Sequence, residues 1–384
     1  MKKRKICVIS GSRAEYGLLK PIMAEINSHC KLELLLMVAG MHLSKEFGNT
    51  VDLIKHDVFK ITYRVRMDSK GKNTEEMAKS IGRGILRMTS AFKKIKPDMV
   101  LILGDRIEAL AGAIVSSYLN IPVAHIHGGD VSKAGLDESA RHAITKLANI
   151  HFAASEKSME RIIKMGENPD HIFLVGAPGL DSLFKEHLLS KNELSSKYGI
   201  DFENPLLILL QHSVTTQTKH TKKQIIETLK AIKALKLPTV IIYPNSDAGG
   251  RVIIEEIEKK RHLVFIKIFK NLPHRQYLSF LKYASVLIGN SSGGIIEAPS
   301  FKLPVVNIGI RQEGRERSEN IIDVDHDSAA IIEAIKISLY DKKFIGQVKR
   351  CNSPYGDGHA SERIVKVLSQ IKINEGLLQK QIVY

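Results

Sequence analysis

Short, almost unbroken apolar runs alternate with longer amphipathic ones along most of the chain. In the first half, residues 5–10, 32–38, 58–63, 99–103, 122–126 and 151–154 read as buried strands. Residues 18–28, 74–94, 107–119 and 138–149 read as helices between some of them. Strands that are apolar on both faces and separated by helices predict a parallel sheet covered on both sides. A polar stretch rich in Lys, Ser and Asn, residues 184–204, reads as a linker. The alternation then restarts. Residues 206–210, 238–242, 263–266, 285–289 and 304–307 are predicted strands, with helices at 222–234, 250–260 and 327–340. A last helix over 359–371 is expected to pack back across the first unit. The fold class is therefore α/β, with two Rossmann-like domains at 1–183 and 205–355 and a C-terminal helical segment at 356–384. Two similar sheets with a cleft between them suit a substrate with two ends. No internal repeat or low-complexity tract interrupts the pattern.

In open parallel sheets, active residues sit just past the carboxyl ends of strands. The most informative strand end is Ser285-Val-Leu-Ile-Gly-Asn-Ser-Ser-Gly-Gly-Ile-Ile-Glu297. A buried strand there runs into a small-residue turn that opens a helix. The turn is expected to leave the N–H groups of Ser291, Ser292, Gly293 and Gly294 uncovered, beside two hydroxyls. A helix start of this kind carries about half a positive charge and suits a phosphate or diphosphate. Glu297, about one turn later, is placed to accept from two sugar hydroxyls. Alternatively, the stretch is a Gly-rich turn that binds nothing.

Four other strand ends collect polar groups. Gly11-Ser-Arg-Ala-Glu-Tyr-Gly17 lacks the GxGxxG dinucleotide fingerprint. Arg13 there is either a diphosphate clamp, through its planar fork, or a surface arginine. In Gly104-Asp-Arg-Ile-Glu108, Asp105 reads as a catalytic carboxylate or as a helix cap with Glu108 three residues on. Arg106 beside it would keep Asp105 ionised or touch substrate. His125-Ile-His127-Gly-Gly-Asp130 is followed by Asp137 and Glu138, then Arg141 and His142. If the strand continues that far, His125 and His127 point to one side, which keeps a metal hydrolase in view. The other reading gives proton transfer to His127, Asp130 and Asp137, and expects no metal. Gln211-His212-Ser-Val-Thr-Thr216 would bring His212 to the cleft from the second domain. The loop 243–249 offers Asn245 as a substrate contact, and Arg311 follows the strand at 304–307.

Composition narrows the picture. Length also favours two domains, since 384 residues exceed one ordinary core. Hydrophobic residues make up 43% and charged residues 26%, as in globular rather than disordered chains. No apolar run approaches the roughly 18 residues that a membrane span needs. The basic start Met1-Lys-Lys-Arg-Lys5 is followed by too short an apolar core for a signal peptide, so a cytoplasmic protein is expected. Cys7, Cys30 and Cys351 are odd in number and far apart, which argues against disulfides or a zinc knuckle, and Cys7 is expected in the core. The net charge of +16 raises nucleic-acid binding, but the basic residues are scattered and no nucleic-acid motif accompanies them. A positive field would equally draw in an anionic substrate.

Together these residues resemble the hydrolysing nucleotide-sugar 2-epimerases, which make N-acetylmannosamine from UDP-N-acetylglucosamine for sialic acid. The resemblance spans essentially the whole chain. It is carried by Ser12-Arg-Ala-Glu-Tyr16, Gly104-Asp-Arg106, the segment 137–146, Gln211-His-Ser-Val-Thr-Thr216, Gly289-Asn-Ser-Ser292 and Pro354-Tyr-Gly-Asp-Gly358. Non-hydrolysing relatives share the last run but carry a His-Arg-Arg-Glu-like segment where this chain has His212-Ser-Val-Thr. The resemblance implies a GT-B fold and elimination to a glycal followed by hydration. A base would remove the C2 proton as the nucleoside diphosphate leaves C1. Ser291, Ser292, Arg13 and His212 would hold the diphosphate, and Glu297 the ribose with Arg311 nearby. Asp105, Asp137 and His127 would manage protons at the sugar. Some relatives carry Glu where this chain has His127; many bacterial ones carry His, some of them acting on 2,4-diacetamido sugars for legionaminic acid. The implied substrate is a nucleotide-sugar, with no cofactor, no nucleic acid and no membrane, in a homo-oligomer (dimer or tetramer). A GT-B glycosyltransferase using a UDP-sugar donor is the alternative, which would need an acceptor.

Overall fold

A computed structural model of the protein describes residues 3–44, 50–55, 57, 59–67, 74–131, 136–185, 187–245 and 247–383. Of the residues singled out above, Met1, Lys2, Val58, Glu186 and Ser246 lie outside them. Among the described residues, thirteen strands form two sheets. The first holds β1 (Arg4–Ser10), β2 (Leu32–Ala39), β3 (Ile61–Val65), β4 (Met99–Leu103), β5 (Val123–Ile126), β6 (Ile150–Ala153) and β7 (Ile172–Leu174). Its order is β3-β2-β1-β4-β5-β6-β7, with every neighbouring pair parallel. The second holds β8 (Leu207–Leu210), β9 (Thr239–Ile242), β10 (Ile266–Phe269), β11 (Val286–Gly289), β12 (Val305–Ile308) and β13 (Ile321–Val324). Its order is β10-β9-β8-β11-β12-β13, again all parallel. The expected α/β class with two doubly wound parallel sheets is what the chain forms.

The period-2 geometry of a strand explains why these runs are apolar throughout. Along β1, Ile6 and Val8 enter the core on one face of the sheet, while Cys7 and Ile9 enter the core on the other. In β8, Leu207 and Leu209 serve one layer and Ile208 the opposite one. No helix of the described residues is long and apolar enough to cross a membrane.

Several elements depart from expectation. The segment 184–204 is not a bare linker: it contains the helix Lys191–Tyr198, closed at its start by a Ser190/Glu193 capping box and ended by Gly199 at φ 62. Leu194 of that helix packs with Ile208 in the second lobe's core. The expected strand at 263–266 begins only at Ile266, because Lys260–Leu263 is still closing turns after the helix Gly250–Glu258. The expected strand at 58–63 is shifted to Ile61–Val65. Strands β7 and β13 went unpredicted; Leu174 is exposed and β13 is only half-buried, so neither forms an apolar run.

The chain returns to the first lobe through Pro354–Gly358. There Tyr355 accepts from Ala177 N–H at 2.7 Å. Gly356 has φ +103, and a Cβ on it would sit 3.1 Å from Gly176 Cα, so the crossing needs glycine. Asp181 then caps the last long helix, Ala360–Gln370, by accepting from the N–H groups of Ala360 (3.0 Å) and Ser361 (2.6 Å). Ile364, Val365 and Leu368 of that helix pack with Ile6 and Leu19.

Candidate active site

Each sheet has one point where its strand order reverses: between β1 and β4 in the first, and between β8 and β11 in the second. Loops leaving neighbouring strands there run in opposite directions and open a crevice. Residues 11–15 and 104–106 border the first crevice, and 211–213 and 290–292 the second. The strongest motifs thus occupy both switch points.

The second crevice is set by close backbone approach. Gly289 at the end of β11 has φ +121, and a Cβ there would lie 2.2 Å from Leu210 O. Asn290 follows and grips the end of β8: its Oδ1 accepts from His212 N–H (2.7 Å) and its Nδ2 donates to His212 O (3.0 Å). His212 is thereby fixed beside Ser291 and Ser292. Its Nδ1 accepts from Asn245 N–H (3.1 Å), which leaves the proton of the neutral ring on Nε2. Burial, aided by Arg311, holds the ring pKa down to about 3. At neutral pH, His212 is therefore a neutral N–H donor, a form suited to the diphosphate role the resemblance implies. Asn245 serves as its positioning group and also donates to Asp247 (2.5 Å).

The serine turn differs in detail from expectation. The helix it opens is one turn, Gly293–Ile296, before a 3₁₀ stretch. Gly293 N–H donates to Ser291 Oγ (3.2 Å) and Gly294 N–H to Ser291 O (3.2 Å). The uncovered N–H groups are those of Ser291 and Ser292, for which no acceptor is found among the described residues.

On the first lobe, Asp105 is not a helix cap. The helix Ile107–Tyr118 begins after Arg106 without any side-chain cap. The Asp105 carboxylate instead accepts from the buried Arg141. Arg106, expected to hold Asp105, crosses to the second lobe and pairs with Asp247 (2.5 Å). His125 and His127 do not converge as metal ligands. His127 leaves β5 in the left-handed region, at φ 63. His125 is buried, bonded through Nε2 to Gly104 O (2.8 Å) and through Nδ1 to Thr145 (3.2 Å). His127 Nδ1 pairs instead with Asp130 (3.1 Å). Asp130 also accepts from Ser158 Oγ (2.7 Å) and from Arg315 across the cleft (3.0 Å). Burial would raise its pKa, but His127, Arg315 and Ser158 outweigh it and hold the carboxyl well below its ordinary value.

Asp137, in the first turn of the helix Leu136–Leu147, faces Arg311 (3.4 Å). Burial and the nearby Asp247 raise its pKa to about 6, against Arg311 and Arg106. A carboxyl raised in this way stabilises the fold fully below its unfolded pKa of about 4, and that contribution fades as pH climbs through 6. Asp137→Asn should therefore raise Tm at pH 7.5 but hardly at pH 4, while lowering turnover. Thermal melts at both pH values check this; a lower Tm at pH 7.5 would contradict it.

Glu297 is buried, and burial holds its pKa up. Its Oε2 and the Tyr277 hydroxyl have no hydrogen-bond partner among the described residues. Both crowd Gly293, where a Cβ would come within 3.2 Å and 2.2 Å of them. The arginine acting on Glu297 is Arg315, whereas Arg311, expected beside it, faces Asp137. Arg13 spans the lobes by donating from Nε to Leu272 O (2.8 Å). Burial lowers its pKa.

Sequence reading gave no role to Arg141, Asp247 or Arg315. Arg141 lies four residues after Asp137, one helical turn along the same face, and that spacing was a readable signal. Asp247 and Arg315 gave no such signal, because their partners are on the other lobe.

The chain matches the family described as UDP-N-acetylglucosamine 2-epimerase over residues 24–369. It is 40% identical to the UDP-N,N'-diacetylbacillosamine 2-epimerase (hydrolyzing) of Legionella pneumophila, over 98% of each chain. It is 37% identical to the UDP-N-acetylglucosamine 2-epimerase of Neisseria meningitidis serogroup B, over 89% of each. Its fold matches that of the Methanocaldococcus jannaschii UDP-GlcNAc 2-epimerase in complex with UDP-GlcNAc and UDP, with TM-score 0.79 and 22% identity over 95% of this chain and 99% of that one. The two Rossmann-like lobes thus form the GT-B-like arrangement of those structures.

Proposed function

We propose that this chain, which belongs to the UDP-N-acetylglucosamine 2-epimerase family, hydrolyses a UDP-linked 2-acetamido sugar with inversion at C2, releasing UDP. The substrate is UDP-N-acetylglucosamine or a 2,4-diacetamido analogue, as the names of its relatives suggest. One observation carries the reading. A single guanidinium, that of Arg311, donates both to Asn290 O (3.2 Å) in the serine turn and to Asp137 (3.4 Å). A donor set for diphosphate and a group of carboxylates therefore lie one arginine apart, as cleavage at C1 coupled to deprotonation at C2 requires.

In this scheme the C2–H electron pair forms the C1=C2 bond while the C1–O pair leaves on the diphosphate. The N–H groups of Ser291 and Ser292, the Nε2–H of His212 and Arg311 receive the growing negative charge. Water then adds across the glycal, giving C1 a hydroxyl and C2 a proton from the opposite face. Asp105, Asp137 and His127 surround the sugar and carry the protons. His127 suits the task, because Asp130 engages its Nδ1 and leaves Nε2 to exchange a proton with the sugar.

The deciding experiment incubates the protein with UDP-N-acetylglucosamine and its 4-acetamido-6-deoxy analogue in deuterated water, without acceptor. Release of UDP and of a free 2-epimeric sugar deuterated at C2 is expected. UDP release that waits for an acceptor would instead mark a glycosyltransferase. For the nucleotide end, Glu297→Ala should weaken UDP binding about tenfold or more, through loss of a charged acceptor for the ribose hydroxyls. Unchanged affinity in a UDP titration would remove Glu297 from that role.

A further inference from the structure

We propose that Asp247 is a positioning residue: by holding Arg106 across the cleft it aligns the first lobe on the second, and so sets how far the nucleotide grip lies from the carboxylates that carry protons. The inference rests on the epimerase reading above for what each lobe holds.

Second-lobe arginines reach first-lobe acids at two places, Arg311 to Asp137 (3.4 Å) and Arg315 to Asp130 (3.0 Å). The pair of Arg106 and Asp247 (2.5 Å) runs the other way, from a first-lobe arginine to a buried second-lobe acid. This reversal of sense distinguishes one alignment of the lobes from its neighbours. Asp247 already acts on Asp137, and Arg106 on Arg311. A slip that parted the pairs would bring these like charges closer, which is strongly disfavoured and fixes register.

Both ends of the pair are anchored in their own lobes. The Asp247 carbonyl accepts from Gly250 N–H (2.9 Å), and a Cβ on Gly250 would lie 2.6 Å from Asn245 O, so the loop 243–249 packs against the helix that follows it. Ala248 O accepts from Ser213 Oγ (2.6 Å), which ties the same loop to the strand end that carries His212. On the first lobe, Arg106 directly precedes the helix Ile107–Tyr118, and its Nε lies 3.9 Å from the buried Glu108. A buried ion pair is weak support for stability in itself. What this one supplies is alignment.

The test compares Asp247→Asn, Arg106→Gln and the double variant with wild type. An amide at position 247 can still accept from Asn245 Nδ2, so the loop keeps its bonds and loses the charge. A misplacement of about 1 Å costs a reaction about a hundredfold, so kcat of Asp247→Asn should fall by about that much. UDP affinity, set by the second lobe, should stay within about threefold. Arg106→Gln should lower kcat at least as far, and adding Asp247→Asn to it should cost nothing more, because the pair is already broken. Small-angle X-ray scattering should show the radius of gyration rising in both single variants, so that either one carries the comparison if the other does not fold. Losses in kcat that multiply in the double variant, UDP affinity that falls in step with kcat, or an unchanged radius of gyration would overturn the inference. Wild-type protein that turns over no UDP-sugar would instead sink the epimerase reading, and scattering alone would then decide whether this pair aligns the lobes.

Discussion

Asp105→Asn should stop sugar release, lowering turnover by about a thousandfold or more while the protein stays folded. The size follows from removing a proton carrier at a carbon acid, where a positioned base contributes about 10²–10⁴. The survival of the fold follows from the neighbours. Asp105 closes no helix, and its partner Arg141 keeps two other acceptors, Asp130 O (3.0 Å) and Glu138 (3.2 Å). The guanidinium is thus not stranded when the carboxylate becomes an amide. UDP affinity should be nearly unchanged, since Ser291, Ser292 and His212 lie on the other lobe. Three measurements decide the matter together: UDP release, deuterium incorporation at C2, and a melt. Normal sugar release would remove Asp105 from the chemistry, and a collapse of Tm would show that its role is to hold Arg141.

Much of this arrangement was readable beforehand, for a physical reason. Strands buried on both faces are apolar along most of their buried length, so β1, β4, β8 and β11 announced themselves, and with them the loops at both switch points. Elements at the sheet edges gave weaker signals; Ile266 is buried but Lys267 after it is exposed, which reads as loop as easily as strand. The helix Lys191–Tyr198 was missed although Ser190 and Glu193 spell a capping box, because its polar composition masked it. Within the candidate site, the sequence pointed to Asp105, Asp137 and His127 as polar groups following buried strands. Their partners were not. Arg106 and Asp247 are 141 residues apart, and Arg315 and Asp130 are 185 apart. Pairing over such spans is set by how two lobes meet, which local periodicity does not encode. The reading of Arg106 as the partner of Asp105 failed for this reason: adjacency in sequence sent the two side chains in different directions at the start of a helix.

Asp130→Asn should lower kcat by about 10²–10⁴, the range seen when a carboxylate that fixes a catalytic imidazole is made an amide. Asp130 is 2% exposed and bonded to His127 Nδ1, so it is expected to act through His127. Its carboxylate accepts from His127 Nδ1 (3.1 Å), Ser158 Oγ (2.7 Å) and Arg315 (3.0 Å). An amide oxygen cannot serve all of them with a full negative charge, and an amide NH₂ turned toward His127 would reverse the tautomer and place the proton on Nε2. A purely structural role would cost stability and leave the chemistry alone, so two further readouts are needed. Nitrogen chemical shifts of His127 should show the proton moving from Nδ1 to Nε2. The acid limb of unfolding should also change. A carboxylate with a depressed folded pKa contributes stability that is present above its unfolded value, about 4, and lost as pH falls through the folded one. Wild-type stability should therefore decline below pH 4 more steeply than that of Asp130→Asn. Ser158→Ala, which removes one neutral donor and leaves the charge, should cost stability with little effect on kcat. If Asp130→Asn and Ser158→Ala lowered kcat alike, with the His127 tautomer unmoved, the carboxylate would be packing support and His127 would need another orienting group.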